Sequence, residues 1–230
     1  MKVIVGGMAV NPGAPTLPNA VILVAGQRLH MVGSDSNVQI PPGSMSWSAR
    51  NRYVIPAPVE WPANLRLRSL ETLAAAKALL KNPPHAAEGI VSDADEFPRD
   101  CLARFAASKT IVVPRLAWLA TSPMRLARGL RHVRTLRDAG VPLASFGDSD
   151  ALSEWRLLAR AGLTPEQILT ATTVNAARAA RQASAGLLEA GFLANLWLLR
   201  GDPLAAVDNL TSVDGIMVEG AWRQSAGAPA

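Results

Sequence analysis

Hydrophobic residues at both ends of the chain fall in short runs that are typical of β-strands. Glycine, proline and asparagine separate these runs, as expected between short strands. Strands are predicted at 3–5, 21–24, 29–32, 53–55, 195–199 and 216–218. The first 56 residues and the last part of the chain are therefore predicted to be rich in β-structure.

The middle of the chain alternates helical periodicity with continuous apolar runs. Asp93 with Glu96 resembles a capping box, and Thr164 with Pro165 and Gln167 gives a strong helix start. Helices are predicted at 67–80, 93–107, 123–139, 151–161 and 165–183, and buried strands at 110–113 and 141–146. This alternation predicts βα units and a parallel sheet, inserted between two β-rich ends that pair with each other.

Composition and charge are those of an ordinary globular protein. The chain has 230 residues, 49% of them hydrophobic and 18% charged, which predicts one or two domains with a real core and argues against disorder. The net charge is +5, and the densest basic row runs from Arg125 to Arg137 at intervals of three. We interpret this row as solvated helix surface rather than a nucleic-acid site, because no aromatic residues interleave with it.

The single cysteine and the lengths of the apolar runs limit the cellular setting. Cys101 alone cannot form a disulfide within the chain, and we interpret it as a small buried hydrophobic residue. No apolar run approaches the ~18 residues that span a bilayer, so no membrane association is predicted. We expect a cytoplasmic protein.

Three blocks of the chain match one family pattern in their order and spacing. The first joins 21–33 to Tyr53-Val54-Ile55-Pro56, the second runs from 136 to Asp148-Ser149, and the third runs from 161 to 220. Together they resemble the metal-dependent amidohydrolase superfamily, closest to its imidazolonepropionase-like and prolidase-like members. Ile111 to Pro114 also resembles a Val-Val-Pro-Thr strand of these proteins, with Arg115 in the place of the threonine.

The resemblance implies an α/β fold with two domains. The ends of the chain, 1–56 and 185–224, would form a small composite β-sandwich. The intervening residues, 57–184, would form a shortened TIM-barrel-like βα segment inserted into it. Between Asn64 and Asp148 only two or three βα units of roughly 30 residues fit, where the family places about six.

The resemblance also implies metal-assisted hydrolysis, in which one or two divalent ions activate a water molecule. The family places His-x-His at the end of the first barrel strand, where this chain has Pro62 and Asn64. It places a proton-accepting aspartate at the end of the last strand, where this chain has Asp148. The missing βα units are those that would carry the other ligands.

We therefore predict a degenerate amidohydrolase-like protein, a pseudoenzyme with little or no hydrolase activity and no cofactor. It would form a homo-oligomer or dock on another protein chain, because a partial barrel leaves strand edges to cover. The alternative is a hydrolase of amide or cyclic amide C–N bonds that uses Asp148 and one zinc, iron or manganese ion.

The candidate ligands for that ion are His85, Asp93 or Asp95, and Asp148, which share no motif spacing. Asp148 has an equally good interpretation as the N-cap of the following helix. A third hypothesis is a binding module that uses the arginine row from Arg125 to Arg137.

Overall fold

The computed structural model describes residues 1–91, 93–147 and 151–224. The described residues form two compact units, one made of 1–59 with the residues from Gln182 onwards and the other of 60–181. The strands are β1 (Lys2–Ala9), β2 (Leu17–Ala25), β3 (Arg28–Ser34), β4 (Met45–Ser48), β5 (Tyr53–Pro56), β6 (Arg68–Ser69), β7 (Ala86–Glu88), β8 (Ile111–Val113), β9 (Leu196–Leu199), β10 (Val213–Val218) and β11 (Ala221–Gln224). The helices are α1 (Leu73–Ala78), α2 (Arg99–Ser108), α3 (Leu116–Leu119), α4 (Pro123–Asp138), α5 (Ala151–Arg160), α6 (Pro165–Thr170) and α7 (Ala176–Ala179).

Strands from both ends of the chain are hydrogen-bonded into one eight-stranded sheet. Its order is β11-β10-β9-β5-β1-β2-β3, with β4 also paired to β1. The antiparallel pair β5 and β9 joins the N-terminal strands to the C-terminal ones, with Tyr53 opposite Leu199. Lys2 Nζ donates a hydrogen bond to the carbonyl of Gly220 at 2.6 Å, which is a second link between the two ends.

β1 changes its neighbour halfway along its length. Its first residues pair with β4, and its last two, Met8 and Ala9, pair with β5. Gly6 and Gly7 lie at the change. Gly6 has a φ of +82°, and a Cβ added to Gly7 would lie 2.8 Å from Cβ of Ala49. Side chains at these two positions would oppose the change of partner.

Alternate residues of these strands are buried on opposite faces of the sheet, as the two-residue period of a strand requires. Ile4 and Ile22 pack with Leu196 in one buried cluster. Val3 and Val21 belong to a second cluster. Apolar burial on both faces explains why the strands read as almost continuous hydrophobic runs.

The unit made of 60–181 contains a parallel sheet of β6, β7 and β8. α1 connects β6 to β7, and α2 connects β7 to β8. All three residues of β8 are buried. Beside β8, the predicted strand at 141–146 is reduced to one parallel bridge between Val112 and Leu143, supported by a hydrogen bond from Ala144 N to Val112 O at 2.9 Å.

The helices of this unit begin and end where local signals are strong. α4 starts at Pro123 as predicted, and α6 has the complete capping box of Thr164 and Gln167. The helix predicted from Asp93 begins only at Arg99, after Pro98. Within the described ranges, no helix combines the length and hydropathy needed to cross a bilayer.

Candidate functional site

The C-terminal ends of parallel strands are where ligands bind in βα proteins. At this edge, β7 ends with Glu88, and β8 is followed by Pro114 and Arg115. A cavity of about 100 Å³ opens here. Its lining side chains include Trp61, Val113, Arg115, Trp118, Phe146 and Glu154.

Arg115 is the central side chain of this cavity. Its guanidinium lies over the rings of Trp61 and Trp118, with Cζ 5.5 and 5.6 Å from the ring centroids. It also pairs with the Glu88 carboxylate at 3.8 Å, and Trp61 meets Phe146 edge-on at 4.7 Å. The chain therefore places the positively charged guanidinium of Arg115 at the strand ends.

The backbone of Arg115 is left-handed, with a φ of +56°, a conformation that costs a non-glycine residue about 1 kcal/mol or more. α3 starts at the next residue. Glu154 of α5 is 8% exposed and accepts hydrogen bonds from the backbone N–H groups of Leu116 at 2.8 Å and Ala117 at 2.7 Å. A buried carboxylate thus fixes the turn that aims Arg115 at the cavity.

The segment that leads to Asp148 is held by the helical pair that follows it. A π-helical segment, Ala171–Asn175, separates α6 from α7. Asn175 Nδ2 donates to the carbonyl of Leu143 at 2.8 Å, and the carbonyl of Ala171 accepts from Ser145 N at 3.0 Å. Residues of the third sequence block therefore anchor the last strand segment. Asp148 itself lies outside the described residues.

His85 and the two replaced ligand positions lie elsewhere. Pro62, Asn64 and His85 line a second pocket of about 420 Å³, together with Ala86, where β7 begins. His85 Nε2 donates a hydrogen bond to the carbonyl of Arg178 at 2.5 Å. That nitrogen is committed to the backbone of α7.

The two acidic candidates of the sequence-predicted ligand set are also committed to structural contacts. Asp93 accepts a hydrogen bond from Leu73 N at 2.9 Å, and Asp95 pairs with Arg128 at 2.7 Å. In the parts of the chain that the structure describes, no three His, Cys, Asp or Glu side chains come close enough to share a metal ion.

The positions that match the family's metal ligands do not offer the donors that its metal centre needs. A catalytic zinc needs three protein ligands with nitrogen, oxygen or sulfur donors. Pro62 has no side-chain donor, Asn64 offers only an amide, and Glu88 is paired with Arg115. Asp148 could add one carboxylate, which leaves the set incomplete.

Sequence reasoning missed the cluster of Trp61, Glu88, Arg115 and Glu154. One signal was available, because Arg115 follows a buried strand and a proline and so stands at a strand end. Glu154 gave no such signal, since its contact with α3 joins residues 37 and 38 positions apart.

Comparison with known structures agrees with this α/β fold. The fold matches A. niger ochratoxinase with a TM-score of 0.80 at 12% identity, over 98% of this chain and 96% of that one. It matches the zinc complex of atrazine chlorohydrolase from Arthrobacter aurescens TC1 with a TM-score of 0.69 at 12% identity, over 100% and 96%. These identities support a shared fold only.

Sequence comparison identifies the family. The profile of the Amidohydrolase family matches residues 90–223, which is more than half of the chain. Over 149 residues the chain is 32% identical to imidazolonepropionase from Psychrobacter cryohalolentis, covering 59% of this chain and 34% of that enzyme. The chain thus spans about a third of the length of this relative. The chain belongs to the amidohydrolase family, and the predicted resemblance is confirmed.

Proposed function

We propose that this chain is a non-catalytic member of the amidohydrolase family. The observation that carries the proposal is Arg115, whose guanidinium lies over the rings of Trp61 and Trp118 and pairs with Glu88 at the ends of the parallel strands. The guanidinium of Arg115 lies at the same edge of the sheet at which metal-dependent relatives would need donors for a metal ion. The loss of His-x-His at Pro62 and Asn64 points the same way.

The electrostatics of this arrangement disfavours a bound metal ion. A guanidinium and a divalent ion about 5 Å apart repel each other by several kcal/mol at an effective dielectric constant near 20. Charged ligands normally offset such a cost for a bound metal. Here Glu88 is paired with Arg115, and Glu154 accepts two backbone hydrogen bonds. Both carboxylates support the turn and its arginine.

Metal content is the experiment that tests the proposal. Protein purified without chelator is incubated with zinc, iron(II) or manganese, desalted and measured by elemental analysis, and assayed on amide and cyclic amide substrates. We expect metal well below one ion per chain and no metal-dependent hydrolysis. Near-stoichiometric metal that is lost in Asp148→Ala and His85→Ala would support the alternative, a hydrolase with one ion. Asp138→Ala, at an exposed aspartate of α4, is the matched control.

The oligomeric state belongs to the same proposal. A chain without catalytic activity would act by binding other molecules. We propose that this chain binds further copies of itself. The edge strand β6 has two residues, and both are exposed. Parallel sheets are normally covered on both faces and at their edges.

A further inference from the structure

The pocket that contains Pro62, Asn64 and His85 has a second feature, which is a concentration of positive charge. Arg66, Arg68 and Arg181 line it, and no aspartate or glutamate is among its lining residues. The arginines come from the segment before β6, from β6 itself and from the end of α7. The fold therefore brings together charges from distant parts of the sequence.

Two of these arginines have no partner for their charge among the residues that the structure describes. The side chains of Arg68 and Arg181 make no hydrogen bond or ion pair within 1–91, 93–147 and 151–224. Arg66 donates only to the backbone carbonyls of Ala63 and Leu65, both at 3.0 Å. Like charges that share a pocket raise its free energy, and a bound anion would lower it.

The backbone around Arg181 adds a second, independent observation. Arg181 follows the last turn of α7 with a φ of +57°, a position where glycine is strongly preferred. Helix carbonyls at this end would repel an anion. The carbonyl of Arg178, however, is covered by the hydrogen bond from His85 Nε2. Three arginines thus line the pocket, and one of the helix-end carbonyls beside it is already hydrogen-bonded.

We propose that this pocket binds a small phosphate-bearing molecule. Guanidinium groups bind phosphate oxygens in bidentate pairs, and three of them match a group that carries two or more negative charges. The volume of about 420 Å³ lies within the usual range for small-molecule sites, roughly 300–1,000 Å³. This site is distinct from the strand-end cavity, and the proposal does not depend on whether the chain is catalytic.

Inorganic pyrophosphate is the probe, and isothermal titration calorimetry measures its binding to the full chain. We expect the double variant Arg68→Gln/Arg181→Gln to weaken binding about tenfold or more, since each lost guanidinium removes charge-assisted hydrogen bonds. The control Arg131→Gln/Arg134→Gln changes two exposed arginines of α4 and alters the net charge equally. We expect its affinity to stay within about threefold of the parent chain.

Folding of each variant is checked by circular dichroism and thermal unfolding. Arg68→Lys/Arg181→Lys, which keeps the charge and removes the bidentate geometry, provides a second test and should bind with intermediate affinity. The proposal is overturned if pyrophosphate does not bind at millimolar concentration. It is also overturned if both glutamine variants lose affinity for pyrophosphate equally. A third contrary outcome is that only the α4 variant loses affinity, and that the affinity it loses is for single-stranded DNA.

Discussion

Asp93 bonds to a helix that lies twenty residues before it in the chain. Its position before Glu96 predicts a local capping box, yet its carboxylate accepts a hydrogen bond from Leu73 N, the first residue of α1. α2 begins at Arg99 instead, after Pro98. A short carboxylate serves a local or a distant N–H equally well, and only the packing of the chain decides between them.

Cys101 is expected to be unreactive in the folded protein. It lies fully buried in α2, and its thiol donates to the carbonyl of Ala76 at 3.4 Å. Burial raises the pKa of the thiol, the charge of Asp100 raises it further, and Lys77 opposes them. Because the thiolate is the reactive form, an aromatic disulfide reagent at pH 8 should label this thiol only as denaturant unfolds the chain. Prompt stoichiometric labelling of native protein would contradict this prediction.

Asp214 is expected to make the stability of the chain pH-dependent. Hydrogen bonds from Arg52 and Arg200 lower the pKa of this carboxyl in the folded state. The lowered pKa stabilises the fold fully above the pKa of the unfolded chain, near 3.9, and this contribution is lost as the pH falls through the folded-state pKa.

Asp214→Asn should therefore lower the free energy of unfolding at pH 7 by about 1–3 kcal/mol. The difference from the parent chain should shrink as the pH falls below about 4. Urea titrations at pH 7, 5, 4 and 3 measure both effects, with Asp35→Asn at an exposed turn as the control. A difference that is the same at every pH would argue against the ion pair as its cause.

Among the elements, those with strong local signals were predicted from the sequence and those that depend on partners were not. The capping box of Thr164 and Gln167 is confirmed, and α4 runs from Pro123 to Asp138 against a prediction of 123–139. By contrast, 141–146 has the composition of a buried strand but shares only one bridge with β8, at Leu143. Apolar composition predicts burial, whereas strand length depends on how much of a neighbouring strand is available.

The first turn of α3 is held by one distant side chain, Glu154. Glu154→Ala would leave the buried N–H of Leu116 and the N–H of Ala117 without their acceptor, and should cost about 2–3 kcal/mol. Glu154→Gln keeps one acceptor oxygen and should cost less. Urea unfolding compares the two variants. Equal losses would mean that the charge of Glu154, and not its hydrogen bonds to α3, is what matters.

At the scale of the whole molecule, the family could be recognised from the order of three sequence blocks. The residues that come together at the strand ends could not be predicted from the sequence. Pro62 and Asn64 indicate that the His-x-His pair of the family is lost, but they do not indicate which residues lie at the strand ends. The residues found at the strand ends are Trp61, Glu88 and Arg115, which approach one another only in the folded chain. No periodicity encodes such a convergence, because Trp61 lies in the loop before β6, Glu88 ends β7 and Arg115 follows β8.

Self-association is the prediction that tests the molecule as a whole. Trp118 and Met124 of the second unit, six positions apart in the sequence, are 64% and 65% exposed, and we propose that they belong to the association surface. We expect light scattering after size exclusion to give a mass above 24.3 kDa at micromolar concentration. Trp118→Ser/Met124→Ser should shift the mass to that of a monomer, because it removes apolar area that association would bury. Met31→Ser/Met45→Ser changes two exposed methionines of the other unit and should leave the mass unchanged. A monomer at every concentration, or equal dissociation by both double variants, would mean that this surface does not join copies of the chain.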